Sequence, residues 1–154
     1  MSSVKLDDID CLILEDLQND GRMTNVDLAK RAGISAPPCL RRVRALEQSG
    51  MIRGYHADLD EVALGYEVMF FSLVGLDSQS SDVLRGFEAR LADWPEVREV
   101  HMVRGAGDFM LRLVARNTAH ENQLTERLVA EPHVNTVQTI QVIRTAKSVP
   151  GVPF

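Results

Sequence analysis

The run Ile34-Ser-Ala-Pro-Pro-Cys-Leu-Arg-Arg-Val-Arg-Ala-Leu-Glu-Gln-Ser-Gly50 leaves this part of the chain few choices. A proline removes a backbone donor and locks φ, so an adjacent pair would break a helix interior. In a first helical turn the amides have no intrahelical partner anyway, so Pro37 and Pro38 are harmless there and pre-set the helical φ. Ser35 is therefore the expected N-cap, and Gly50 stops the helix after about Ser49. Cys39, Val43 and Leu46 recur at helical spacing as an inward stripe, which leaves Arg41, Arg42 and Arg44 around the outer arc.

The residues before this run supply its companions. Leu6, Ile9, Ile13 and Leu17 predict a first helix from near Asp7 to just before Asn19-Asp-Gly21. Thr24, three residues before Asp27, makes a weak capping-box start for a helix over 25–31, with Val26, Leu28 and Ala29 inside. Ala32-Gly33-Ile34 is the turn, where glycine takes a positive φ without steric cost. A short helix, a glycine turn and a basic helix together have the form of a DNA-reading helix-turn-helix. In that frame Ser35, Leu40 and Arg41 point toward base edges, and Arg42 and Arg44 meet phosphate or base. Thr24, Asn25 and Pro38 complete the candidate DNA contacts. Arginine suits the work because its planar fork engages guanine or phosphate through two bonds. Leu40, off the inward stripe, either touches a thymine methyl or packs on the first helix. Cys39 reads as a core residue, since nothing links it to a base; His56 is the nearest in sequence.

The net charge of −5 argues against nucleic acid if taken whole, but its distribution does not. Residues 22–53 hold seven basic side chains (Arg22, Lys30, Arg31, Arg41, Arg42, Arg44, Arg53) against Asp27 and Glu47, whereas residues 1–21 hold Lys5 against six acids. A basic face on an acidic body produces this separation. The longest apolar run, Val68–Leu76, is too short for a bilayer span, and Met1-Ser-Ser-Val-Lys-Leu-Asp-Asp shows no secretory pattern. A cytoplasmic, nucleoid-associated protein with reduced Cys11 and Cys39 is expected.

After an extended connector over Met51–Asp60 the pattern becomes β-α-β-β-α-β. The strands are expected over 67–76, Val97–Arg104, Asp108–Ala115 and Val134–Arg144. One helix runs from Ser80 or Ser81 to about Ala92, and another follows a Thr118-x-x-Glu121 capping box. Two nearly equal halves predict an α+β, ferredoxin-like sandwich with helices on one face of an antiparallel sheet. Met69, Phe71, Val100 and Met102 look too apolar to leave the other face wet, so a homodimer through the sheets is expected. Arg104-Gly-Ala-Gly-Asp108 reads as a glycine turn between strands rather than a phosphate cradle, since no helix follows. Amides freed by its glycines suit a carboxylate and Asp108 suits an ammonium, unless Asp108 only satisfies turn amides. The tail Val149-Pro-Gly-Val-Pro-Phe154 is either mobile or packed on a neighbour.

Ser35-x-x-Pro38-Cys39-Leu-Arg-Arg-Val-Arg-x-Leu46-Glu47, then Gly50-x-Ile52 and Gly54-Tyr55, closely resembles the Lrp/AsnC family of transcriptional regulators. Leu6-Asp-x-Ile-Asp10 and Asp20-Gly21-Arg22 look like that family's first helix and its exit. The resemblance covers essentially the whole chain. It implies a winged-type helix-turn-helix domain (1–50), a connector strand or hinge (51–62) that pairs in a dimer, and a ligand-sensing and oligomerisation domain (63–154) of the RAM/ACT-like kind. It implies double-stranded DNA as partner, homodimers that assemble into tetramers or octamers, no cofactor or metal, and an amino-acid effector bound between dimers. The implied effector contacts are Met102, Arg104, Gly105, Ala106, Gly107, Asp108, Thr136, Gln138 and Thr139. The chain departs from some leucine-responsive members at Ala106 and Gly107, where those carry an acidic and an aromatic residue. It departs from many members at Val137, where they carry threonine. The smaller side chains leave room for a larger ligand. The rival reading is an amino-acid-binding regulatory subunit that acts on an enzyme without DNA. An enzyme proper is disfavoured, because His56, His101, His120 and His133 form no metal-ligand spacing with the cysteines and no triad is visible.

Overall fold

The structure, a computed structural model, describes residues 5–154. Met1-Ser-Ser-Val4, part of the segment read for a secretory pattern, lies outside the described residues. The chain forms two compact units. One takes in residues up to Asp58 together with Lys147–Phe154, and the other is Leu59–Ala146.

The first unit is built on α1 (Asp8–Asn19), α2 (Asn25–Arg31) and α3 (Ala36–Gln48). Asp7 and Asp10 close a reciprocal capping box at the start of α1, and the Thr24 hydroxyl accepts from the Asp27 amide at the start of α2. Gly33, at φ +67, makes the turn between α2 and α3, and Gly50, at φ +77, ends α3; both values lie in the left-handed region that favours glycine. Ile13, Leu17, Leu28, Ala29, Cys39 and Leu46 fill the core, with Val43 and Ile52 packed on it. Asp16, itself buried, is paired to Arg31 at 2.7 Å, which ties α1 to the end of α2. Residues 53–60 are exposed and form no strand or helix among the described residues. The tail is seated on α1 of its own chain. Gln18 Nε2 donates to the Val152 carbonyl at 2.9 Å, and the Val152 amide donates back to Gln18 Oε1 at 3.1 Å.

The second unit runs β1 (Val68–Leu76), α4 (Ser81–Leu91), β2 (Val97–Met102), β3 (Phe109–Ala115), α5 (Thr118–Val129) and β4 (Val134–Gln141). The sheet order is β2-β3-β1-β4 and every neighbouring pair is antiparallel, which is the expected ferredoxin-like arrangement. β1 alternates buried and half-buried along its whole length, so Phe70, Ser72, Val74 and Leu76 face α4 and α5. There they meet Phe87, Leu91, Leu111, Leu124 and Leu128; the Phe87 and Phe109 rings lie 5.0 Å apart, tilted by 45°. The Arg127 guanidinium sits 3.5 Å from the centre of the Trp94 ring, capping the core's edge with a cation–π contact.

Three local expectations are corrected. The helix α5 is capped by Asn117, whose side chain accepts from the His120 amide, so Thr118 is the first helical residue and the Thr118/Glu121 box is not formed. The strand β2 ends at Met102 and β4 at Gln141, because the Gly105 turn and the exit loop lie beyond the pairing register. Val100 does not belong to the open sheet face. It pairs with Leu111 and packs on the helix-side core, and Met102 follows it onto that side at the strand's exposed end. The open face keeps Met69 and Phe71 and adds Leu73, Met110 and Ile140 among its apolar residues, crossed by Arg112, which donates to Glu61 at 2.6 Å.

Candidate functional site

On the first unit the expected reading helix has an uncommon N-terminus. Ser35 stands at the N-cap but makes no side-chain capping bond. The reason is local. A capping hydroxyl accepts from the second or third helical amide, and here those positions are Pro37 and Pro38, which have none. The Ser35 hydroxyl therefore stays exposed and unspent. The same prolines strip the helix start of amide donors, so recognition at this end falls to side chains and not to backbone. Leu40, Arg41 and Arg44 are exposed along the following turns.

Arg42 does something different from its neighbours. Its Nη1 contacts Asp7 at 2.9 Å and Asp10 at 2.7 Å, and its side chain is only 32% exposed. These carboxylates raise the guanidinium further above its ordinary value, with Asp10 contributing most. Arg42 thus pins α3 to the start of α1, so it is a fastener of the reading head in addition to any contact with DNA. Asn25 is likewise turned inward: its Nδ2 donates to the Ala36 carbonyl at 2.9 Å, which joins α2 to the start of α3. Thr24 donates to Asp27 and caps α2, while Pro38 is half-buried. Leu40 is 38% exposed, which leaves it physically open both to a base and to a neighbour. Burial pushes the Cys39 thiol above its ordinary value, which suits the core residue expected.

The second unit holds a cleft of about 600 Å³ at one end of the sheet. It is lined by Met102, Arg104, Gly105, Ala106, Gly107, Asp108 and Thr136 of the expected set, joined by Gln79, Leu84 and Asn135, which the sequence reading missed. Those three stand on the β1–α4 loop, on α4 and at the start of β4. No local motif marks them, and only the folded arrangement brings them beside the glycine turn. Gln138 and Thr139 do not line the cleft. Adjacent strand residues point to opposite faces; Gln138 lies opposite Leu73 on the open face, whereas Thr139 lies 3.4 Å from Thr125 of α5. Val137 also lies away from the cleft and packs on the core.

Two residues shape the loop. The Asp108 carboxylate accepts from the Leu76 amide at 2.7 Å and from Gln79 Nε2 at 3.0 Å, while its own amide donates to the Val74 carbonyl at 2.9 Å. Asp108 therefore moors the turn to the end of β1. Gly107 has no room for a side chain, since a Cβ there would lie 2.9 Å from Leu73 Cγ and 3.0 Å from the Val74 carbonyl oxygen. The amides of Gly105, Ala106 and Gly107 donate to no acceptor among the described residues, and Arg104 is exposed beside them. The cleft offers free amides and a cation at one wall, a moored carboxylate and amide side chains at another, and Leu84 and Met102 as apolar surface.

Both units match known families. Residues 6–53 match the model of a winged helix-turn-helix DNA-binding domain, and residues 69–152 match that of the Lrp/AsnC ligand binding domain. The chain belongs to the Lrp/AsnC family. It is 54% identical over 145 residues to the leucine-responsive regulatory protein of Rhizobium meliloti (strain 1021), covering 94% of this chain and 93% of the relative. The corresponding protein of Salmonella typhimurium is 40% identical, with coverage of 92% and 87%. Among solved structures, a transcriptional regulator of Neisseria meningitidis in complex with L-Met superposes with a TM-score of 0.91 at 30% identity, over 97% of each chain. An AsnC family transcriptional regulator from Agrobacterium tumefaciens gives 0.90 at 31% identity, covering 96% of this chain and 97% of that one. This Lrp/AsnC chain is thus a helix-turn-helix DNA-binding transcriptional regulator with a separate ligand-binding domain. The rival reading as a regulatory subunit that works without DNA is not favoured.

Proposed function

We propose that this Lrp/AsnC regulator senses an amino acid in the cleft between the Gly105 turn and β4, and that it acts as a cytoplasmic, nucleoid-associated, non-catalytic homo-oligomer. The observation that carries the reading is the cleft's pairing of opposite chemistries. Unengaged amides at Gly105–Gly107 beside Arg104 suit a carboxylate, and Asp108, whose oxygens retain further acceptor capacity, suits an ammonium. The similar regulator from Neisseria meningitidis was solved with L-Met, a ligand of this class. Leu84 and Met102 supply an apolar wall for such a side chain. No helix of the described chain is long and apolar enough to cross a membrane, which fits this location.

On the output side, Ser35, Leu40, Arg41 and Arg44 form the DNA-facing edge of α3, with Arg42, Asn25 and Thr24 holding that edge in place. Dimerisation through the open sheet face and through residues 53–60 would bring two such edges onto successive half-sites. Effector binding then acts by its differential affinity for two assemblies. A thermal-shift screen of the twenty amino acids tests the sensor, since a ligand of the native state raises the apparent melting temperature. The amino-acid reading fails if none of the twenty moves it. A gel shift on the protein's own promoter region across a salt series tests the reading head, where affinity should fall steeply with salt.

A further inference from the structure

The first unit carries a groove of about 760 Å³ whose walls include Leu6, Leu14, Leu17 and Gln18 of the α1 region, Ile52 and Tyr55 of the connector, and Phe154 of the tail. We infer that the chain's own C-terminal segment, Val149–Phe154, which supplies one wall of this groove, occupies its seat on Gln18 as a releasable strap restraining the reading head.

Several observations select this occupant. Gln18 offers both faces of its amide, one as donor and one as acceptor, to the single residue Val152, in the way a neighbouring strand would. A side chain at position 151 would have to push Gln18 out of this pairing. Gly151 has a φ of +75, and a Cβ there would collide with Gln18 Oε1. Pro150 and Pro153 flank these positions and restrict the segment before it docks, which lowers the entropy lost on docking. The tail also lies outside the core of the head. That core cluster and the residues packed on it end at Ile52 and include nothing from the tail. Val152 and Phe154 remain more than half exposed, so the segment rides on the outside of the head.

The consequence is topological. The chain leaves the reading head at Asp58 and returns to it at Lys147, so the head has two covalent connections to the ligand-binding unit while the strap is docked. The first, residues 53–60, is exposed and forms no strand among the described residues, so within one protomer it restrains the head little. The second is continuous with β4, whose residues Asn135 and Thr136 line the cleft. Attachment makes docking intramolecular, so even a weak seat stays occupied.

The test uses the full-length protein and two variants that leave the core intact. Gly151→Ala unseats the strap from the tail side, and Gln18→Ala from the head side. Hydrogen exchange at the Val152 amide should be protected at least tenfold in the wild type relative to either variant. Gel shifts on two fragments, with paired half-sites spaced by one turn or by one and a half turns of DNA, should show the ratio of affinities falling at least threefold in both variants. An unprotected Val152 amide in the wild type would overturn the docking. Unchanged discrimination between the spacings, with the amide exposed in the variants, would overturn the restraint. Both readouts are independent of whether an amino acid binds the cleft.

Discussion

Arg41, Arg42 and Arg44 share one outer arc of the helix in the sequence, and their environments divide them. Arg41 and Arg44 are exposed, so replacing either with alanine should weaken DNA binding while leaving the melting temperature nearly unchanged. The salt dependence, as the slope of log affinity against log salt, should shallow by about 1 for each phosphate that is no longer neutralised. Arg42→Ala should instead lower the melting temperature by a few degrees, because Asp7 and Asp10 lose a shared partner. The same cluster fixes a pH dependence. The Asp10 amide first, and then Arg42, hold the Asp7 carboxyl below its ordinary 3.8. A folded value below the unfolded one stabilises the folded state above the unfolded value, and that contribution is lost as pH falls through the folded value. The head should therefore soften on acidification below about pH 4, and less so in the Arg42→Ala variant; a melting series from pH 6 to pH 3 checks this. Asp108 calls for two variants for the same kind of reason. Asp108→Ala strands the Leu76 amide and should cost about 1–3 kcal/mol by chemical denaturation. Asp108→Asn keeps an acceptor and removes the charge, so it should preserve the fold and reduce the ligand-induced thermal shift.

At the scale of elements, caps and glycines carry the predictions. Asn117→Ala should cost about 1 kcal/mol, the usual worth of an N-cap, whereas Thr118→Ala should cost little; equilibrium unfolding of the two variants distinguishes them. Gly107→Ala drives a methyl into Leu73 and the Val74 carbonyl, and overpacking of this kind costs about 1–3 kcal/mol. Because the displaced atoms belong to β1 and the strained loop is a wall of the cleft, ligand-induced thermal shifts should shrink with it. The elements themselves were legible from the sequence, since apolar period, proline placement and glycine stops are local signals. Thr118-x-x-Glu121 misled because a capping box and an asparagine one residue earlier are both good starts. The Asn117 side chain takes the His120 amide, which leaves Thr118 as the first helical residue.

For the whole molecule, the order of a helical reading head before a βαββαβ unit could be read along the chain. So could the basic arc of α3 and the glycine turn at Gly105–Asp108, whose chemistry depends on residues adjacent in sequence. The three-dimensional arrangement decided what depends on distance along the chain. It set Gln79, Leu84 and Asn135 beside the turn, removed Gln138 and Thr139 from the cleft, moved Val100 to the core, and gave Arg42 a partner thirty-five residues away in Asp7. It also seated the tail, which as sequence was only two prolines, a glycine and a few apolar residues, on Gln18 at a separation of 134 residues. Local periodicity encodes what each segment becomes. Which side chain faces which depends on strand register and packing, and those exist only once distant segments have met.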